Sequence, residues 1–215
     1  MQNPSHRAFK LHLLDEDTKE TLKLHFEELE KTLDMPGLGY TLFYVVLELV
    51  SNAVRANLKR YYFRHHGFSL SEPESYQRGL ECFKRDYNTI GEKETQRALE
   101  ELDFQVTISV DLNSERLLIF VENNMILLEE EEKRIRTKLA SAMDVKDLIE
   151  FSVLYGDETE GKGLGLAMIV LLIKDLGFNP GNFRVFRKSD RTIARLEFPL
   201  LADYKPLRER SKIVG

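Results

Sequence analysis

Gly161, Gly163 and Gly165 stand on alternate positions at the start of an apolar run over residues 164–173. The run is too short to cross a bilayer and reads as a buried helix, so a turn of unusual backbone freedom leads straight into it. Alternating glycines let a backbone approach a bound group closely. The helix that follows aims its free N–H groups and the positive end of its dipole at the same place. The combination suits a polyphosphate, to which Lys162 adds a mobile positive charge. A flexible turn ahead of a core helix is the plainer alternative, and the spacing differs from that of a dinucleotide-binding loop.

A second constraint lies on the longest helix that the pattern predicts, residues 40–64. Its first half is apolar almost all round, through Leu42, Val45, Val46, Leu49 and Val50, and is expected to be buried. Glu48 and Asn52 interrupt that surface four residues apart, one turn above each other on a single face. A carboxylate there is costly unless a metal or a basic partner neutralises it; capping of a backbone group is the alternative role. Residues 59–66 turn basic and aromatic. They could stack single-stranded nucleic acid, but packing against an inserted helical hairpin over residues 69–101 is the better reading.

Other elements follow from periodicity. Alternation predicts a strand over residues 8–14, and a helix follows Asp17 with Leu22, Phe26, Leu29 and Leu33 on its apolar face. Strands over 104–111 and 116–122 flank a polar hairpin turn, helices cover 129–140 and 145–154, and a closing hairpin covers 183–188 and 192–199. The acidic run Glu129 to Glu132 reads as a solvated helix start, and His25 as a surface or partly buried helix residue. The charged segment after Leu201 is expected to be loose. This order specifies an α+β, two-layer α/β sandwich: a mixed, mostly antiparallel sheet covered by helices on one face, with a helical insertion. Residues 1–38 form an N-terminal strand and helix, 39–200 the main domain with its insertion at about 65–102, and 201–215 a charged tail.

With 215 residues and 42% hydrophobic content, the chain has room for one sizeable core rather than two full domains. The 31 basic and 36 acidic residues leave a net charge of −5, which disfavours non-specific binding to nucleic acid or an anionic membrane. The single cysteine, Cys82, excludes an internal disulfide and a thiolate zinc site, which fits a reducing compartment, the cytoplasm by default.

The segment Gly161, Lys162, Gly163, Leu164, Gly165, Leu166, continuing as Ala167-Met168-Ile169-Val170, resembles the second glycine box of the GHKL superfamily, which includes histidine kinases, MutL, gyrase and heat-shock chaperone ATPases. On the long helix, Glu48-Leu49-Val50-Ser51-Asn52-Ala53-Val54-Arg55 is similar to that family's N box. The resemblance implies that Asn52 ligates Mg2+ and that Arg55 faces the phosphates. It implies that Glu48 orients a water or hydroxyl for in-line attack, as in the hydrolases and the stand-alone anti-sigma-factor serine kinases. Residues 122–127, Glu-Asn-Asn-Met-Ile-Leu, occupy the place of the family's Asp-x-Gly-x-Gly box but depart from it. Asn123 replaces the aspartate that accepts from the adenine amino group, Asn124 matches a frequent asparagine, and Met125 and Leu127 replace the two glycines. Weakened or relaxed base recognition is expected, with Met125 and Leu127 filling space near the base. Residues 128–160 resemble the ATP lid. The resemblance runs over residues 39–199 and includes no phosphotransfer half of a histidine kinase.

The expected function is a nucleotide-binding signalling domain, a stand-alone ATPase or protein kinase that takes Mg-ATP and acts on a partner protein. Its nucleotide contacts would be Asn52, Arg55, Asn123, Asn124 and the segment from Gly161 through Leu166, with Glu48 catalytic. The alternative is a non-catalytic relative serving as a protein interaction module. A homodimer through the first strand and helix is left open.

Overall fold

The computed structural model describes residues 5–87, 92–155 and 164–210. Gly161, Lys162 and Gly163 lie outside the described residues, as do residues 156–160 of the expected lid.

The architecture is the expected α+β arrangement. Strands β1 (Ser5–Leu11), β2 (Val106–Leu112), β3 (Arg116–Asn123), β4 (Arg184–Lys188) and β5 (Arg191–Pro199) form one sheet in the order β1-β2-β3-β5-β4. Where a mixed sheet was expected, all four pairings are antiparallel. The helices are α1 (Glu16–Leu33), α2 (Leu38–His65), α3 (Pro73–Asp86), α4 (Glu92–Glu101), α5 (Glu129–Met143), α6 (Leu148–Tyr155), α7 (Leu164–Asp175) and the short α8 (Leu207–Arg210).

Period-two alternation sets the inner face of the sheet. Val106, Ile108, Val110 and Leu112 of β2 are buried, and so are Ile119 and Val121 of β3 and Leu196 and Phe198 of β5. Against them lies α2, whose Leu42, Val45, Val46 and Val50 are fully buried. Each such side chain contributes about 1.5–3 kcal/mol by leaving water. Asp15 caps α1 by accepting from Thr18 N at 2.8 Å, so the helix starts two residues earlier than the Asp17 reading. Gly67 ends α2 in the left-handed region (φ 70°), which allows Phe68 N to donate back to Phe63 O at 2.9 Å.

The basic aromatic end of α2 packs on the insertion. Tyr62 donates to Asp86 at 2.6 Å, and the Phe63 and Tyr76 rings lie 5.5 Å apart. Burial and the Asp86 carboxylate push the Tyr62 hydroxyl up to about 12. Three expectations are corrected. The first strand is Ser5–Leu11, because its register pairs Leu11 with Val106 and leaves Leu13 and Leu14 beyond the sheet edge. The segment after Leu201 is tied down through residue 210: Tyr204 Oη and Leu207 N both donate to Glu197 Oε1, at 2.7 and 2.8 Å. The acidic run is not wholly solvated, since the Glu131 side chain is only 11% exposed.

Candidate functional site

A cavity of about 530 Å3 is lined by one face of α2, the ends of β3 and β5, and parts of α3, α5 and α7. The α2 face supplies Glu48, Asn52, Arg55 and Lys59, at offsets of four, seven and eleven residues, which a helix brings into one row.

At one end of the row, Asn52 Nδ2 donates to Glu48 Oε1 at 2.8 Å. The first turn of α7 comes against this pair, and a methyl group built on Gly165 would overlap the Glu48 carboxylate. Residues 117 positions apart in the chain therefore meet only because position 165 lacks a side chain. Leu166 also lines the cavity, whereas Leu164 packs against the core.

Further along, Arg55 reaches the cavity wall with its guanidinium over the Tyr87 ring, 5.0 Å from the centroid. Asn123, at the end of β3, is 3% exposed and donates from Nδ2 to Asn57 Oδ1 at 3.0 Å. Its cross-strand partner Thr192 also lines the cavity and donates to the Met125 carbonyl at 2.7 Å. Met125 and Leu127 line the cavity as well. Asn124 is engaged elsewhere: Oδ1 accepts from Gln105 N and Nδ2 donates to the Asp103 carbonyl, which pins the end of β3 to the start of β2.

The largest feature that sequence reasoning missed is the far end of the row. Lys59 Nζ lies 2.7 Å from Glu131 Oε1, and Arg60 Nη2 lies 2.6 Å from Glu131 Oε2. Glu131 Oε2 also accepts from Leu128 N at 3.1 Å, closing the first turn of α5. Burial would raise the Glu131 carboxyl, but Lys59 and Arg60 outweigh it and hold the group down at about 2. A basic pair seven and eight residues after Asn52 was the available signal. The packing reading holds for Tyr62, for Phe63 and in part for Lys59, whose Nζ also reaches Tyr76 Oη of α3 at 3.5 Å, but it does not account for the ion pairs of Lys59 and Arg60 with Glu131. Thr192 carried no signal, because its place opposite Asn123 depends on strand register.

With Asn52 Nδ2 turned to Glu48, the amide oxygen of Asn52 is the donor left for a metal, which fits Mg2+ held chiefly by a ligand's phosphates rather than by an all-protein cage. Among the described residues no cluster of three or more His, Cys, Asp or Glu side chains is placed to hold a metal. No helix among them is long and apolar enough to cross a membrane.

No protein-family model matches the chain. It is 34% identical over 183 residues to an uncharacterized protein of Treponema pallidum (strain Nichols). That alignment takes in 83% of this chain and 35% of the relative, so the chain spans about a third of the length of the curated relative it matches. The SiaB-SiaC complex from Pseudomonas aeruginosa is similar at a TM-score of 0.46 and 13% identity, over 90% of this chain and 89% of that one. At that level neither fold nor activity transfers.

Proposed function

We propose that the cavity binds Mg-ATP and that the chain is a stand-alone signalling ATPase or protein kinase acting on a partner protein. The observation that carries this reading is the junction of Glu48, Asn52 and Gly165: the two motifs that resemble the GHKL N box and glycine box, far apart in sequence, meet at one end of a single cavity. Asn52 would hold Mg2+ through its amide oxygen, and the metal when bound supplies charge neutralisation to the transferred phosphoryl group. Glu48 would take the proton of the attacking water or acceptor hydroxyl. Asn52 orients that carboxylate through its amide, and Gly165 leaves room for it.

A second reading, a non-catalytic interaction module, is favoured by the residues at and just after the end of β3. There Asn123 is engaged by Asn57, and Met125 and Leu127 contribute bulk to the cavity wall. Calorimetric titration with Mg-ATP and Mg-GTP, on the natural chain and on Asn52→Ala, separates the two. Saturable Mg-ATP binding lost in the variant supports the nucleotide reading. No binding at millimolar nucleotide eliminates it in favour of the interaction module.

A further inference from the structure

We propose that Lys59 and Arg60 form a phosphate-binding subsite in the cavity, and that Glu131 occupies it until a phosphate group of the ligand exchanges for its carboxylate. The proposal rests on the nucleotide reading for the identity of the natural ligand; the subsite itself follows from charge and burial. It lies twelve residues beyond Glu48, about 18 Å along the axis of α2.

Three observations converge on it. The Arg60 side chain is only 6% exposed and lines the cavity, yet its Nε and Nη1 have no hydrogen-bond partner among the described residues. Buried charged donors left this way carry an uncompensated desolvation cost that an incoming anion relieves. Six basic side chains line the cavity, Arg55, Lys59, Arg60, Lys84, Arg134 and Lys138, against the carboxylates Glu48 and Glu131. That is a local excess of positive charge in a chain whose net charge is −5. Finally, one carboxylate is shared between two cations, with Oε1 at Lys59 and Oε2 at Arg60. A phosphate brings more oxygens and up to twice the charge. It can meet both cations and the donors of Arg60 that Glu131 leaves unmet.

Glu131 belongs to the first turn of α5, so the exchange would release that turn from α2. In the permanent alternative, Glu131 is a structural counter-ion and no ligand group enters. The two differ in the sign of one effect. Replacing a competitor improves ligand binding, whereas replacing a purely structural partner does not.

The test uses the full chain and metal-free inorganic tripolyphosphate, with adenosine and Mg-ATP as comparison ligands. The first readout needs no variant: the Arg60 side-chain Nε–H resonance, assigned by its loss in Arg60→Lys, is followed during titration. Saturable movement with tripolyphosphate and with Mg-ATP, but not with adenosine, is expected. The second readout is affinity. Glu131→Gln should bind tripolyphosphate about tenfold more tightly, and Arg60→Gln about tenfold more weakly, the scale of one charge-assisted hydrogen bond. An Arg60 resonance that stays still at saturation, no binding at millimolar tripolyphosphate, or unchanged or weaker binding by folded Glu131→Gln overturns the subsite. Loss of Mg-ATP binding in Asn52→Ala bears on the nucleotide reading alone, and the metal-free titration on the subsite alone, so either can fail while the other stands.

Discussion

Asn123 Nδ2 donates to Asn57 Oδ1 at 3.0 Å, joining the end of β3 to α2 through a bond between two buried amides. The Nδ2 of Asn57 has no partner among the described residues. A carboxylate at position 123 would accept from that amide, once it is turned, and keep a second oxygen for an exocyclic amino group. Asn123→Asp is therefore expected to raise the preference for ATP over GTP by about tenfold, equivalent to one net hydrogen bond of about 1.4 kcal/mol. Side-by-side titration of the two nucleotides measures it. An unchanged ratio would remove Asn123 from base recognition.

The contact between Gly165 and Glu48 gives a second expectation. In Gly165→Ala the methyl group forces the Glu48 carboxylate aside, and because that carboxylate is the end of a flexible side chain the fold absorbs the change. The melting temperature should move little, while ATP turnover falls by about a hundredfold or more, the scale of a lost general base. Glu48→Gln should match it in turnover and retain Mg-ATP binding. Full turnover in folded Gly165→Ala would show that the position of Glu48 is not critical.

Acid stability should report Glu131. Its folded value of about 2 lies below the ordinary carboxyl value, so the deprotonated form is the one the fold favours. The stabilisation is complete above about pH 5 and is lost as the pH falls from there through the folded value, an amount on the order of 3 kcal/mol. Chemical denaturation at pH 6, 4 and 3 should show the loss, and Glu131→Gln should lack this component while being less stable at pH 6. Parallel pH profiles for the two proteins would contradict the assignment.

At the other side of the molecule, Arg7 Nη1 donates to His25 Nδ1 at 2.9 Å, which fixes the neutral ring with its proton on Nε2. Burial first, and then the Arg7 charge, lowers the pKa of this histidine. The neutral form is favoured on folding, so the contribution is present above the unfolded value near 6.5 and is lost as the pH falls below it. Long-range nitrogen–proton correlation spectra should show the Nε2–H tautomer and a titration midpoint below that of a free histidine. Arg7→Ala should raise the titration midpoint.

The helices and strands were legible because their signals are local. The apolar surround of α2 and the alternation in β2 each follow from spacing, and the residues that resemble an N box and a glycine box stood out by their types and order. The fate of individual polar groups was not legible, because it depends on partners distant in sequence. Nothing in the run Glu129 to Glu132 distinguishes Glu131; only the approach of α5 to Lys59 and Arg60 selects it for burial. Likewise Asn123 and Asn124 are adjacent and chemically identical, yet strand alternation turns one toward α2 and the other toward the backbone before β2. Residues 201–210 looked unstructured because their anchor, Glu197, sits on the preceding strand and needs Tyr204 and Leu207 folded back to it.

Lys174 of α7 donates from Nζ to the carbonyls of Ala142, Met143 and Val145, at 3.3, 2.7 and 3.2 Å, gathering the C-terminal end of α5. Glu131 fastens the opposite end of the same helix to α2. The two fastenings differ in kind: an anion in the cavity can compete for the cations at the first, but offers nothing to the carbonyls at the second. If a ligand displaced Glu131, α5 would keep its fastening at Lys174 and its packing on α7, so any movement would be concentrated in its first turn, at the end nearest the incoming charge.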